Sequence, residues 1–242
     1  MSALAVFLLA VGVGDIVRKL TSRTWPAVGA GPATVMVAAA LAGLWRGGDL
    51  VLLGCAAAVS MAWLHLGARA DRTGIHHGRA LTAFGVGAAV LVMLSGWASP
   101  AGGALGSWLD WVGLADVDPD RALLVVAVVL VQLVTANQLV RLVLGSVGTV
   151  RPEGQPQPSD RLKGGRLLGP MERLLIVGLG LGGELGLASA VVAAKGIIRF
   201  PELNAQRKDS PGTGIDEVTE YFLVGSFASW LVAMGGLALV LH

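Results

Sequence analysis

Long apolar runs alternate with short polar stretches along most of the chain. A helix that crosses a bilayer needs about 20 mostly apolar residues, within a range of roughly 17 to 25. Six runs reach or approach that length. Together with the segment Met171–Phe200, these runs predict an all-α fold: a polytopic transmembrane bundle of six or seven helices. The six predicted spans are Ala3–Val17, Val28–Leu44, Leu50–Leu66, Leu81–Gly96, Ala122–Leu144 and Tyr221–Leu241.

The segment Met171–Phe200 is also apolar, but it is too long for a single simple span. As one helix it would extend about 45 Å, against a hydrocarbon core of ~30 Å. Its middle, Gly178–Glu184, is glycine-rich and forms helix poorly. Two arrangements remain open: one spanning helix with protruding ends, or two half-helices that turn back at the glycines.

Basic residues collect in alternate loops, which by the positive-inside rule places those loops in the cytoplasm and the N-terminus outside. The loop after Met171–Phe200 is also basic, and only a hairpin would keep it inside, so we favour a re-entrant hairpin. Irregular backbone at membrane depth needs protein or water around it, so the tip is a candidate functional position. The basic residues of the loops assigned to the cytoplasm are Arg18, Lys19, Arg23, Arg69, Arg72, Arg79, Arg141, Arg151, Arg161, Lys163, Arg166, Lys195, Arg199, Arg207 and Lys208.

The composition supports a membrane location. Hydrophobic residues make up 54% of the chain and charged residues 14%, whereas a soluble domain carries about 25% charged residues. The 35 glycines are scattered through apolar runs, where small residues allow helices to pack closely. No basic stripe interleaved with aromatics indicates a nucleic-acid partner. The expected partners are the lipid bilayer and either a second copy of the chain or another membrane protein.

The same pattern divides the chain into three regions. Residues 1–144 form a five-helix transmembrane region, and residues 145–170 form a cytoplasmic linker rich in proline and glycine. Residues 171–242 form a C-terminal membrane region, composed of the glycine-broken segment and the last spanning helix.

Glu184 is a candidate site residue because it lies among glycines and apolar residues in the middle of the broken segment. A charge at the bilayer centre costs roughly 2.5–3.5 kcal/mol on insertion scales, so the carboxylate must be paired, protonated or exposed to water. One interpretation is an ion or proton site, or a catalytic carboxylate. The other is a structural pair with an arginine or lysine.

Further polar residues lie near the predicted cytoplasmic ends of the helices. Asn137 and Arg141 are four positions apart, a spacing that places them on one helix face, and Asp15 lies near the inner end of the first helix. Charged residues also begin and end the broken segment. They either compensate helix dipoles or together hold a lipid phosphate or an anionic ligand. These residues are Glu172, Arg173, Lys195 and Arg199.

No motif predicts a metal, a cofactor or a reaction. The histidines and the acidic run of the outer loop lack the spacing of zinc and calcium ligands. Gly178-x-Gly180-x-x-Gly183 matches a dinucleotide-binding fingerprint, but no parallel sheet is predicted around it. There is no serine nucleophile elbow and no Walker loop. The histidines are His65, His76 and His77, and the acidic run consists of Asp116, Asp118 and Asp120.

Three spaced motifs carry a resemblance: Glu172–Ile176 (ERLLI), Ala193–Phe200 (AAKGIIRF) and Glu220–Ser226 (EYFLVGS), the last followed by Ser229. Together they resemble the C-terminal part of an uncharacterised bacterial family of multi-helix membrane proteins, a domain of unknown function. The family pattern is ERLLI, then AAKSIxRF, then EYxxxGTxxS. The resemblance covers about residues 168–230 and implies an integral inner-membrane protein without an established activity.

The resemblance adds Tyr221 to a polar cluster with Glu172, Arg173, Lys195 and Arg199. In the first half of the chain the resemblance is weak: Asp15 matches the family's His-x-x-x-Asp helix, whose histidine is absent here, and His65 is a candidate match for a second family histidine.

These observations favour a transport or channel-like protein that handles a small ion or an anionic solute, since broken helices with an embedded carboxylate are typical of transporters. The polar residues of the broken segment, with Asp15 and Arg141, would line a cavity open to the cytoplasm. Two alternatives stay open: a membrane-embedded enzyme or binder for lipid headgroups, and a non-catalytic subunit or scaffold of a membrane complex.

Single cysteines placed at Asn204 and at His242 in a Cys55→Ser background test the predicted topology by labelling in intact cells. A hairpin predicts a cytoplasmic Asn204 and an external His242, because only a hairpin returns the chain to its starting side. The reverse labelling pattern contradicts it.

Overall fold

The structure, a computed structural model, describes residues 1–21, 24–150, 165–209 and 214–241. These residues form nine α-helices and no strand, which confirms the all-α class. The helices are α1 (Ser2–Thr21), α2 (Thr24–Ala42), α3 (Gly47–Thr73), α4 (His77–Met93), α5 (Gly103–Trp111), α6 (Pro119–Ser146), α7 (Gly165–Leu181), α8 (Leu185–Asp209) and α9 (Gly214–Leu241).

Four of these helices are long and apolar enough to cross a membrane. They are α2 from Trp25, α3, α6, and α9 from Thr219, and they fit a membrane location. α4 is apolar but shorter, and α1 carries three charged residues in its second half. Large apolar side chains on the outer faces of the four helices are exposed, as expected of groups that meet lipid. They include Met36, Val37, Leu41, Leu50, Val51, Val126, Leu223, Phe227 and Leu231.

α1 is the central helix of the N-terminal half. Its residues from Ser2 to Leu8 are all buried, and it packs against α2, α3 and α6. Glycines allow this close approach. A Cβ atom on Gly12 would lie 2.7 Å from Leu130 of α6, and one on Gly14 would overlap Leu64 of α3.

Local sequence signals fix where two of the helices begin. Asp118 caps α6 by accepting a hydrogen bond from the Asp120 amide at 2.9 Å, with Pro119 in the first turn. This is the helix start that Asp-Pro-Asp favours. Asp49, near the start of α3, accepts from the amide of Arg46 at 3.0 Å and from that of Ser99 at 2.7 Å. The second bond ties α3 to the loop after α4.

The segment Met171–Phe200 is broken at its glycines. α7 ends at Leu181, and α8 begins at Leu185. Gly183 adopts a φ of +81°, a conformation that glycine reaches without steric cost. The Glu184 amide donates to the Leu179 carbonyl at 2.8 Å and closes the end of α7. Because α7 and α8 pack against each other, the segment is a helical hairpin and not one long helix.

The hairpin is larger than the sequence indicated. α7 begins at Gly165, inside the stretch predicted as linker, and α8 continues to Asp209. Residues 151–164, the central part of that linker, lie outside the described residues.

Two glycines of α7 provide a matched test of how the hairpin packs on α9. A Cβ at Gly180 would overlap Leu237, which is 3% exposed, whereas Gly178 is exposed with no described atom within 4 Å of its Cβ position. Gly180→Ala should destabilise the protein by about 1–3 kcal/mol through overpacking. Gly178→Ala should be neutral or stabilising by up to about 1 kcal/mol, because it removes a flexible residue from a helix. Thermal unfolding in detergent measures both, and equal shifts would contradict the packing described.

Candidate functional site

A π turn over Val131–Thr135 interrupts α6 in its middle. The Ala136 amide donates to the Val131 carbonyl, one residue earlier than an α-helix requires, which takes this donor from the carbonyl of Gln132. π turns are rare and are frequently found at functional sites. Polar residues of α6 within this turn and after it contribute to two polar clusters.

The first cluster centres on Arg173 of α7, which is 1% exposed. Its Nε and NH2 donate to the Gln132 carbonyl at 3.1 and 2.9 Å. NH2 also donates to Asn137 Oδ1 at 2.6 Å, and NH1 donates to Ser229 Oγ of α9 at 2.9 Å. Among the described residues, every acceptor of this guanidinium is therefore a neutral group.

An ion pair lies beside this guanidinium. Lys195 Nζ of α8 is 2.5 Å from Glu172 Oε2 of α7, and the Trp230 indole donates to Glu172 Oε1 at 3.4 Å. We call this pair, with Trp230, Arg173 and its acceptors, the Arg173 cluster. Its single carboxylate faces two cations, so its formal net charge is +1.

The second cluster joins the C-terminal parts of α1, α3 and α6 around Asp71 of α3. Asp71 accepts a hydrogen bond from Gln138 Nε2 at 2.8 Å. It also lies 3.3 Å from Arg18 NH1 and 3.2 Å from Arg141 Nε. Arg18 therefore bridges Asp71 to Asp15.

Asp15 is fully buried. Its Oδ1 is 3.0 Å from Arg18 NH2, and its Oδ2 accepts from the Trp63 indole at 3.2 Å. We call these residues, with Asp71 and its partners, the Asp71 cluster. Two carboxylates face two guanidinium groups, so the formal net charge of the cluster is zero.

The structure brings six of the predicted site residues into these clusters. Glu172, Arg173, Lys195 and Asn137 lie in the Arg173 cluster, and Asp15 and Arg141 lie in the Asp71 cluster.

Asn137 and Arg141, which the sequence predicts to share a helix face, contact different helices. Asn137 contacts Arg173 of α7, whereas Arg141 pairs with Asp71 of α3. Four residues of α-helix leave an offset of about 40° around the axis, and the long arginine side chain reaches α3.

Three candidates are not part of either cluster as described. Glu184 is exposed in the hairpin turn and has no polar side-chain partner among the described residues. Tyr221 is half-buried near the start of α9, with no hydrogen bond to a described side chain. The side chain of Arg199 lies outside the described residues.

Sequence reasoning missed Asp71, Gln132, Trp63 and Trp230. The end of the apolar run at Leu66 predicts that Asp71 lies in a loop, although α3 continues to Thr73. Gln132 did offer a signal, since it is a polar residue in the longest apolar run, and such residues require partners in a membrane. The sequence offers no comparable signal for Trp63 and Trp230, because tryptophan is common in apolar runs.

Two apolar cavities adjoin the helices. A groove of about 690 Å³ lies along α9, between α4, α6 and α8, and Trp230 forms part of its wall. The second, of about 480 Å³, lies mainly between α1 and α2. Neither contains Asp15, Arg141 or Glu172, which contact their own partners instead, so the predicted polar cavity is not found at either place.

Among the described residues, no three His, Cys, Asp or Glu side chains lie together as a metal site. Comparisons of the chain with protein-family models, curated proteins and solved structures found no match. The resemblance carried by the three C-terminal motifs stays a prediction.

Asp71→Asn tests the second cluster, with the exposed Asp116→Asn as its control. Removing the Asp71 charge leaves Arg141 without its carboxylate and Arg18 with Asp15 alone, and should destabilise the protein by on the order of 2 kcal/mol or more. The control should change stability by less than about 0.5 kcal/mol. Thermal unfolding in detergent compares them, and equal midpoints would show that the cluster contributes little.

Proposed function

We propose that this chain is a multi-pass integral membrane protein that transports a small anionic solute, with Arg173 as its binding residue. The observation that carries the proposal is a buried guanidinium whose described acceptors are all neutral. The nearby carboxylate of Glu172 lies 2.5 Å from Lys195. Charges buried in membrane helices are costly, and those that are retained commonly mark ion or substrate pathways.

The chemistry around Arg173 suits an anion. Besides the guanidinium, the Ser229 hydroxyl and the Asn137 amide nitrogen are potential donors, and they come from three different helices. Because the cluster carries a formal charge of +1, it repels cations and gains from a bound negative charge. Charge-assisted hydrogen bonds of this kind are about twice as strong as neutral ones.

The proposed membrane arrangement has six crossings and a re-entrant hairpin. α1, α2, α3, α4, α6 and α9 cross, with the N-terminus outside. In support, the C-terminal parts of α1, α3 and α6 meet in the Asp71 cluster, as they must if all three helices end on the cytoplasmic side.

The hairpin formed by α7 and α8 enters and leaves on the cytoplasmic side. The apolar part of α8, Leu185–Ile197, is about 20 Å long, which is short of a ~30 Å core. Broken helices that bring ligand-binding groups to membrane depth are what many transporters use. By its resemblance, the protein belongs to the bacterial inner membrane.

A second candidate, a binder of lipid headgroups, is favoured by the groove along α9. The Trp230 ring lines the apolar groove while its N–H contacts Glu172 of the ion pair. An amphiphile could place its chain in the groove and its headgroup at this pair. Phospholipid that stays bound through purification and is lost in Ala228→Trp would favour this candidate.

Anion efflux from proteoliposomes tests the proposed function. Arg173→Met should lower chloride efflux by at least about tenfold, because a charged hydrogen bond contributes roughly 1.5–3 kcal/mol. Arg121→Gln, which removes an exposed arginine from the outer end of α6, should leave efflux unchanged.

If Arg173→Met does not fold, Ser229→Ala keeps the charge and removes one partner of NH1. It should still reduce efflux. Wild-type rates in either folded variant would contradict the role assigned to Arg173.

A further inference from the structure

Four hydrogen bonds account for four of the five N–H groups of Arg173. The remaining N–H is on NH1 and has no acceptor among the described residues. A charged donor that is buried without an acceptor is costly, so this hydrogen marks the side of the guanidinium on which a ligand is expected.

Gly169, one turn earlier on α7, borders this side. A Cβ at Gly169 would lie 3.4 Å from Arg173 NH1 and 3.9 Å from Asn137 Oδ1. Apart from its chain neighbours Leu168 and Pro170 and the backbone of its own helix, no third heavy atom of the described residues comes within 4 Å of that point. Gly169 is itself half-buried, and its neighbour Leu168 is exposed, so this part of α7 lies near the protein surface.

The charge of the cluster limits what this space can hold. One monovalent anion would neutralise the formal charge of +1, whereas a divalent anion would leave an uncompensated negative charge among apolar helices. A Cβ atom at Gly169 would lie in van der Waals contact with NH1, so a side chain there would take up space next to the N–H that lacks an acceptor.

We infer that Gly169 is the opening through which one small monovalent anion, of halide size, reaches NH1 of Arg173. This inference rests on the proposed function and names its substrate class. Gly169 is then a specificity-determining position, because any side chain there occupies the space that the anion needs.

Two measurements on the full-length purified protein test the inference: chloride and sulfate efflux from proteoliposomes, and the shift of the unfolding midpoint Tm on adding chloride or sulfate. The variant is Gly169→Ala. Its control is Gly178→Ala, the same change at an exposed glycine of the same helix.

The wild type and Gly178→Ala should release chloride but not sulfate, and chloride should raise their Tm. In Gly169→Ala, chloride efflux should fall by at least about tenfold, and the Tm shift caused by chloride should vanish. A purely structural effect of the alanine would lower Tm in both salts equally.

The opposing outcomes separate this inference from the proposed function. If Gly169→Ala behaves like Gly178→Ala, or if sulfate leaves as fast as chloride, the inference fails while transport at Arg173 stands. If chloride raises the Tm only when Gly169 is intact but no protein releases chloride, the site stands and transport fails. If the wild type shows no chloride efflux and no Tm shift with chloride, both the inference and the proposed function are overturned.

Discussion

The hydrogen bonds from Arg173 to the Gln132 carbonyl hold the C-terminal hairpin against the N-terminal bundle. In an unbroken α-helix that carbonyl would accept the Ala136 amide, which here donates to Val131. The π turn and the buried arginine therefore depend on each other, because the displaced carbonyl needs a donor and the guanidinium needs acceptors. The rest of the Arg173 cluster lies around this contact, since Asn137 and Ser229 satisfy further donors of the same group.

α6 contributes to two electrostatically different environments. Arg141 and Gln138 meet Asp71, where the charges of two carboxylates and two guanidinium groups cancel and short ion pairs and hydrogen bonds join three helices. Asn137 and Gln132 meet Arg173, where one positive charge is left over. The neutral cluster joins α1, α3 and α6, whereas the positive one keeps an uncompensated charge, on which the proposed function rests.

The main architecture follows from local features of the sequence. Apolar runs predict most of the helices, Asp118 with Pro119 predicts the start of α6, and the glycines before Glu184 predict the break. Each of these signals depends on a short stretch of sequence alone. The length of an apolar run is compared with the bilayer thickness, a capping side chain bonds to its own backbone, and glycine is free to adopt a turn conformation.

The composition of the clusters depends on contacts between distant parts of the chain. The π turn in α6 is bonded to an arginine 41 positions away from Gln132, and no feature of α6 alone indicates that partner. Asp71 was missed because a polar stretch at a helix end has the same sequence pattern as a loop. Only the structure shows that cations of two neighbouring helices pair with this carboxylate. Glu184 has no described polar partner because the turn formed by its neighbouring glycines is exposed.

The ion pair between the two arms of the hairpin limits where the chain can change length during evolution. Glu172 precedes Gly183 by 11 positions, and Lys195 follows Glu184 by 11, so the two arms bring the pair together at equal distances from the turn. One residue inserted into either arm would rotate its charge by about 100° and shift it by about 1.5 Å, which separates the pair. Residues added within the turn would leave both arms in place. Homologous chains should therefore change length at Gly182–Glu184 while the two arms keep theirs.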